Sequence, residues 1–173
     1  MCGTSHIDRE LEKLNISRNE VFIPTLGRNE SLRAEAWEYY KSWRSNLHER
    51  TNQVLGEILV NRVGWKHITR RGRHSERIIQ SWLLLGAAKK AIMESKKIYQ
   101  LGRAREKKFS DGNTELTDYL GIRVNVSFPY RHESIIQVIL KRSRLLMPDN
   151  LNPERQKIWF YSVYELRRGI SNI

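Results

Sequence analysis

Over residues 122–128 apolar and polar side chains alternate without exception: Ile122, Val124, Val126 and Phe128 against Arg123, Asn125 and Ser127. A period of two is the mark of a strand with one buried and one wet face. Residues 129–133 then offer a turn, and residues 135–140 return with apolar side chains on both faces, which predicts a central partner strand. Residues 97–103 read as a weaker strand and residues 157–165 as the closing one. Polar loops are expected over 105–115, a mobile surface loop carrying Asp111-Gly112-Asn113, and over 148–153. In the closing strand Ile158, Phe160, Ser162 and Tyr164 should share one face, with Trp159, Tyr161 and Val163 on the other.

Upstream the period changes. Leu32, Ala36, Tyr40, Trp43 and Leu47 recur at helical spacing, which predicts an amphipathic helix over 29–48 with Asn29 as its N-cap. Residues 54–60 form a short apolar run suited to a strand, and Asn61 can cap a brief helix through Val63, Trp65 and Ile68. A longer helix begins near Ser75, with Ile78, Trp82 and Leu85 on one face and Gly86 as a break. Helices first and strands afterwards is the order of an α+β domain, so the expectation is N-terminal helices packed on a roughly four-stranded antiparallel sheet. Residues 1–53 read as a helical lead-in, extended or partly helical up to residue 28, and residues 54–173 as the basic α+β domain.

Charge narrows the partner. The chain of 173 residues has 31 Lys plus Arg against 19 Asp plus Glu, a net charge of +12. The excess is uneven: residues 1–60 carry 8 basic and 9 acidic side chains, and residues 61–173 carry 23 and 10, a surplus of +13. An anionic partner is expected to meet the later two thirds. One cysteine, Cys2, leaves no disulfide framework and no cysteine cluster for a metal. No apolar run has membrane-spanning length and no signal-peptide core stands near Met1, so the expectation is a protein acting in the cytoplasm, without membrane contact.

Within the basic portion, residues 64–73 read Gly-Trp-Lys-His-Ile-Thr-Arg-Arg-Gly-Arg. That run combines Lys66, His67, Thr69, Arg70, Arg71 and Arg73 with no carboxylate, a set suited to a phosphodiester. Imidazole titrates near neutral pH and guanidinium offers a permanent planar fork to phosphate oxygens. Thr69 adds a hydroxyl and Trp65 a surface on which a base can stack. The plainer reading is a solvated basic face beside a turn glycine with a structural histidine. Ser162, a hydroxyl in a strand of apolar and aromatic residues, either ties to backbone or faces a site. Arg123 lies on the polar side of its strand, where it lines a nucleic-acid groove or is simply solvated.

These segments resemble the barnase, EndoU, colicin D and RelE-like superfamily of metal-independent ribonucleases. The resemblance rests on the strand leading into Trp65-Lys66-His67-Ile68, the helix after it, the hairpin of residues 119–142 and a closing strand reading Trp159-Phe160-Tyr161-Ser162-Val163. It covers residues 54–168 and is nearest to the phage-associated and toxin branches. It implies attack of a ribose 2′-hydroxyl on the adjacent phosphate, giving a 2′,3′-cyclic phosphate, with neither metal nor other cofactor. It further implies His67 as acid or base, Arg71 and Arg73 on the phosphate, and Ser162 and Tyr164 binding or orienting it. His74 and His132 are the candidates for a second proton carrier, while His6 and His48 stand in the near-neutral third. RNA, whether tRNA or ribosome-associated mRNA, is the implied partner, with an acidic antitoxin or immunity protein to protect the producing cell. Two other classes fit the charge: an RNA- or ribosome-binding protein without catalysis, and a DNA-binding protein, for which no helix-turn-helix spacing is evident.

Overall fold

The computed structural model describes residues 11–24, 31–148 and 150–166, with the backbone alone for 150–155. Strand β1 (Glu12–Asn15) is followed by helix α1 (Leu32–Ser45), a 3₁₀ turn (His48–Arg50), and a two-residue hairpin, β2 (Thr51–Asn52) and β3 (Gly56–Glu57). Helices α2 (Arg62–Ile68), α3 (Ser75–Leu83) and α4 (Leu85–Glu94) come next, then strands β4 (Tyr99–Lys108), β5 (Thr114–Ser127), β6 (Ser134–Met147) and β7 (Asn150–Glu165). The α+β class read from the sequence is the class observed.

The sheet differs from the expected one in having five strands and mixed direction. β5, β6 and β7 form an antiparallel meander. Both β4 and β1 pair with β5: β4 runs antiparallel along residues 114–121, and β1 lies parallel to residues 124–127. The lead-in therefore contributes a strand. Glu12 anchors it, because its carboxylate accepts hydrogen bonds from the Ser95 hydroxyl and from the backbone N–H groups of Lys96 and Lys97. Residues on either side of the expected 53/54 boundary enter one hydrophobic core, with Leu14, Tyr40 and Trp43 packed in the same cluster as Leu140 and Phe160.

Local chemistry explains the remaining departures. α1 is capped by Ser31, whose hydroxyl accepts from the Ala34 N–H at 3.2 Å; Asn29, expected in that role, lies outside the described residues. The 54–60 run opens as a turn, because the Asn52 side chain accepts from the N–H groups of Val54 and Leu55 and Gly56 takes φ 78°, leaving Val54 on the surface. What remains of the expected strand is β3 and an isolated bridge from Leu59 to Trp159. Asn61 caps α2 as expected, accepting from the Val63 N–H.

The helix break falls at Leu84. Gly86 sits inside α4, where a Cβ would lie 2.5 Å from the Glu20 carbonyl oxygen, so its role is close approach. The expected mobile loop over 105–115 is mostly strand: β4 continues to Lys108, β5 starts at Thr114, and only a tight Phe109–Asn113 turn joins them, held by the Asp111 carboxylate on the Asn113 N–H. Of the expected 148–153 loop, residues 150–153 belong to β7. In each case cross-strand pairing overrode a polar, loop-like composition.

The helices bury their apolar residues against one side of the sheet, formed by Ile122, Val124, Val138, Leu140 and Phe160 among others. The other side presents Tyr119, Arg123, Gln137, Lys141 and Tyr164, assigned by their register opposite one another. β7 crosses between these roles at a bulge. Leu140 pairs with Phe160 and Ile139 with Ser162, so Tyr161 is an extra residue with no opposite number. Before it the even residues Ile158 and Phe160 face the helices; after it the odd residue Val163 does. The expected uniform two-face division of this strand fails there.

Candidate nucleic-acid site

The site begins with a glycine. A Cβ on Gly64 would fall 2.4 Å from the Phe160 carbonyl oxygen and 2.7 Å from the Tyr40 hydroxyl, so only glycine lets α2 rest directly on the β7 backbone. One turn later His67 reaches the bulge, where its ring stacks on Tyr161 with centroids 3.7 Å apart and planes 26° apart. Tyr119 stands beside Tyr161 at 5.2 Å, and the Lys141 ammonium lies 5.9 Å from the Tyr161 ring centre.

Beyond α2 the chain reverses. Thr69 ends the helix, the Arg73 N–H closes on the Arg70 carbonyl at 3.3 Å, and Gly72 takes φ 83°. This turn brings Arg70 and Arg73 to one cleft and leaves Arg71 out of it. Arg70 and Arg73 line a cleft of about 930 Å³ together with His74, Arg77, Gln80 and Tyr164; Glu76, Glu165, Gly72 and Leu166 complete its wall. Among the described residues none of Arg70, Arg73 and Arg77 forms an ion pair with a carboxylate. Glu165 is engaged elsewhere, by the Arg131 guanidinium and the Ser134 hydroxyl.

His67 is the electrostatic centre. Its Nδ1 lies 3.3 Å from Arg70 Nη1. Because a guanidinium only donates, Nδ1 is assigned as the acceptor and the neutral ring carries its proton on Nε2. Burial, and then the positive charges of Arg70, Arg73 and Lys141, push its pKa down to about 4. The ring is thus uncharged at neutral pH, held in that form first by burial and then by the surrounding cations. Arg73 is itself lowered by burial and by Arg70 and Arg77, and it donates to the Ile68 carbonyl at 2.9 Å. Burial, with Tyr119 beside it, holds the Tyr161 phenol above its usual range.

The residues expected from the sequence separate into three groups. His67, Arg70, Arg73, His74 and Tyr164 meet at or beside the cleft. Lys66, Arg71 and His132 are exposed, and neither Arg71 nor His132 lines the cleft. Ser162 is buried on the same side of the sheet as Tyr164, one residue past the bulge. Thr69 donates its hydroxyl to the Trp65 carbonyl at 2.7 Å and so serves its own helix. Trp65, read as a stacking surface for a base, is buried among Trp37, Tyr40 and Trp82. Arg123 is half-buried and donates to Gln137 at 2.6 Å.

Tyr119, Lys141, Tyr161, Arg77 and Gln137 join the site without having been singled out. The expected strand over 135–140 stopped one residue before Lys141, and nothing in the sequence marks Tyr161 as the bulge. No protein-family model, curated protein or solved structure matches the chain. Among the described residues no group of three His, Cys, Asp or Glu side chains is arranged to hold a metal, and no helix is long and apolar enough to cross a membrane.

Proposed function

We propose that the chain is a metal-independent, toxin-like endoribonuclease of the barnase, EndoU, colicin D and RelE-like kind, which cuts RNA by transphosphorylation to a 2′,3′-cyclic phosphate. The observation that carries this reading is His67: a half-buried neutral imidazole on which every charge acting is a cation, beside a cleft of unpaired arginines. A phosphodiester in the cleft offsets Arg70, Arg73 and Lys141, so protonation of the ring, suppressed in the free protein, becomes favourable once the anion is bound.

In this reading Arg70 turns from Nδ1 to a phosphate oxygen, and the freed lone pair takes the proton of the 2′-hydroxyl. The O2′–P bond forms while the P–O5′ bond breaks, with Arg73 and Arg70 holding the non-bridging oxygens. His74, on the cleft wall, returns a proton to the departing O5′. Lys66 and Arg71, both exposed, lie where a longer RNA strand would pass. The protein acts in the cytoplasm on tRNA or ribosome-associated mRNA, and an acidic antitoxin or immunity protein fits the cleft by charge.

The experiment is incubation of the purified protein with tRNA and total RNA in EDTA, with analysis for cyclic phosphate ends. His67→Ala is expected to slow cleavage by about a hundred- to ten-thousandfold while leaving RNA affinity within a few fold. A second reading, RNA binding without cleavage, is favoured by the face-on stacking of His67 against Tyr161, the posture of a platform. Absence of cyclic ends at every concentration, with affinity that still falls in Arg70→Ala, leaves that second reading standing alone.

A further inference from the structure

From the cleft wall a row of three polar side chains runs across the sheet: Tyr164 on β7, which lines the cleft, then Gln137 on β6 and Arg123 on β5 behind it, each paired in register with the next. Arg123 Nε donates to Gln137 Oε1 at 2.6 Å, and Gln137 Nε2 lies 2.9 Å from the Tyr164 hydroxyl. A guanidinium has donors only, so the amide oxygen must face Arg123 and the amide NH₂ must face the tyrosine. The Tyr164 oxygen is therefore an acceptor in this contact, and its own proton has to point elsewhere. Tyr164 is half-buried and lines the cleft together with Arg70 and Arg73. Gln137, by contrast, is only 3% exposed and cannot itself reach a ligand.

We infer that Gln137, fixed by Arg123, is a positioning residue that turns the Tyr164 hydroxyl proton into the cleft as a hydrogen-bond donor to a bound phosphoryl group. This rests on the phosphodiester reading of the site and assigns it an uncharged donor in the cleft that Arg70, Arg73 and Arg77 line. The relay does its work from a site that touches no substrate, and it is built from a buried amide whose orientation is settled by a residue on a third strand.

The direction of the hydrogen bond is what the test reverses. Gln137→Glu keeps shape and the Arg123 contact, but a carboxylate can only accept, so the phenol must donate to it and turn its proton out of the cleft. Gln137→Met, a neutral variant, releases the phenol instead and covers the case in which Gln137→Glu fails to fold. Two measurements are made on the intact protein: the Cζ chemical shift of ¹³C-labelled Tyr164 without ligand, assigned by its loss in Tyr164→Phe, and affinity for a short single-stranded 2′-O-methyl oligoribonucleotide at fixed salt. The resonance is expected to move in Gln137→Glu and in Gln137→Met. Affinity is expected to fall about tenfold in Gln137→Glu and in Tyr164→Phe, and no further than in Tyr164→Phe when the two are combined.

An unmoved resonance overturns the relay whether or not RNA binds. Parental affinity in Gln137→Glu, or losses that multiply in the double variant, overturn the hydroxyl as a donor to the ligand. A moved resonance in a parent protein that ignores the oligonucleotide removes the RNA reading and leaves the oriented phenol.

Discussion

Two groups of arginines, one on strand β6 and one in the turn after α2, are treated in opposite ways. Arg142 and Arg144 converge on Asp118, whose side chain is fully buried: Arg142 makes a two-pronged contact with it and Arg144 approaches to 3.5 Å. Arg142, first through its hydrogen bond and then through its charge, holds the Asp118 carboxyl below its usual range. Among the described residues no carboxylate pairs with the arginines beside His67. Arg70 touches only an imidazole nitrogen and Arg73 only a carbonyl. The contrast teaches how to separate basic residues that hold a fold together from those that wait for a partner: net charge along the sequence counts both, and only the presence of a buried counterion tells them apart.

The contrast breaks most visibly at Asp118. Asp118→Asn leaves two partly buried guanidinium groups without their anion and should cost about 3 kcal/mol in urea unfolding, while affinity for RNA at fixed salt changes little. Equal losses of stability and affinity would erase the distinction between the two groups.

Arg70→Ala and Arg73→Ala should behave in the reverse manner. Each is expected to weaken RNA binding by about tenfold and to flatten its salt dependence, with unfolding shifted by no more than about 1 kcal/mol. Arg73→Ala should be the less stable of the two, since it also releases the Ile68 carbonyl.

The smallest effect concerns protons. With its folded pKa near 4, below the value of about 6.5 for a free histidine, His67 favours folding when neutral; its contribution is complete above pH 6.5 and is lost as pH falls toward 4. NMR titration of His67 should place its midpoint near 4, and Lys141→Met should raise it by a fraction of a unit. Added inorganic phosphate should raise it further. A midpoint at the ordinary value, indifferent to both, would mean that the cations do not govern the ring.

Much of the architecture could be read from periodicity alone. The alternation at 122–128, the helical spacing of Tyr40 and Trp43 and the Asn61 cap all appear where they were expected, because each is set by neighbours in the chain. What escaped is long-range. β1 owes its place to Glu12 reaching the end of α4, some eighty residues away. Residues 106–108 and 114–115 look like loop by composition; the first are strand through pairing with β5, the second through being held between β4 and β6. At the site, the run of residues 64–73 was visible as a cluster, but which of three arginines faces the cleft depends on the left-handed turn at Gly72. Tyr161 and Lys141 come from other strands, and Gln137 matters only through partners on both sides of it.

The unpaired residue in β7 has a consequence beyond local geometry. It works as a half-period phase shift: the stretch before Tyr161 is addressed to the helices in one reading frame of side chains and the stretch after it in the other. Deleting that single residue would restore a regular ribbon and keep Val163 against the helical layer, but it would remove the shelf on which the imidazole lies. The irregularity is therefore what lets one strand serve as both wall and workbench.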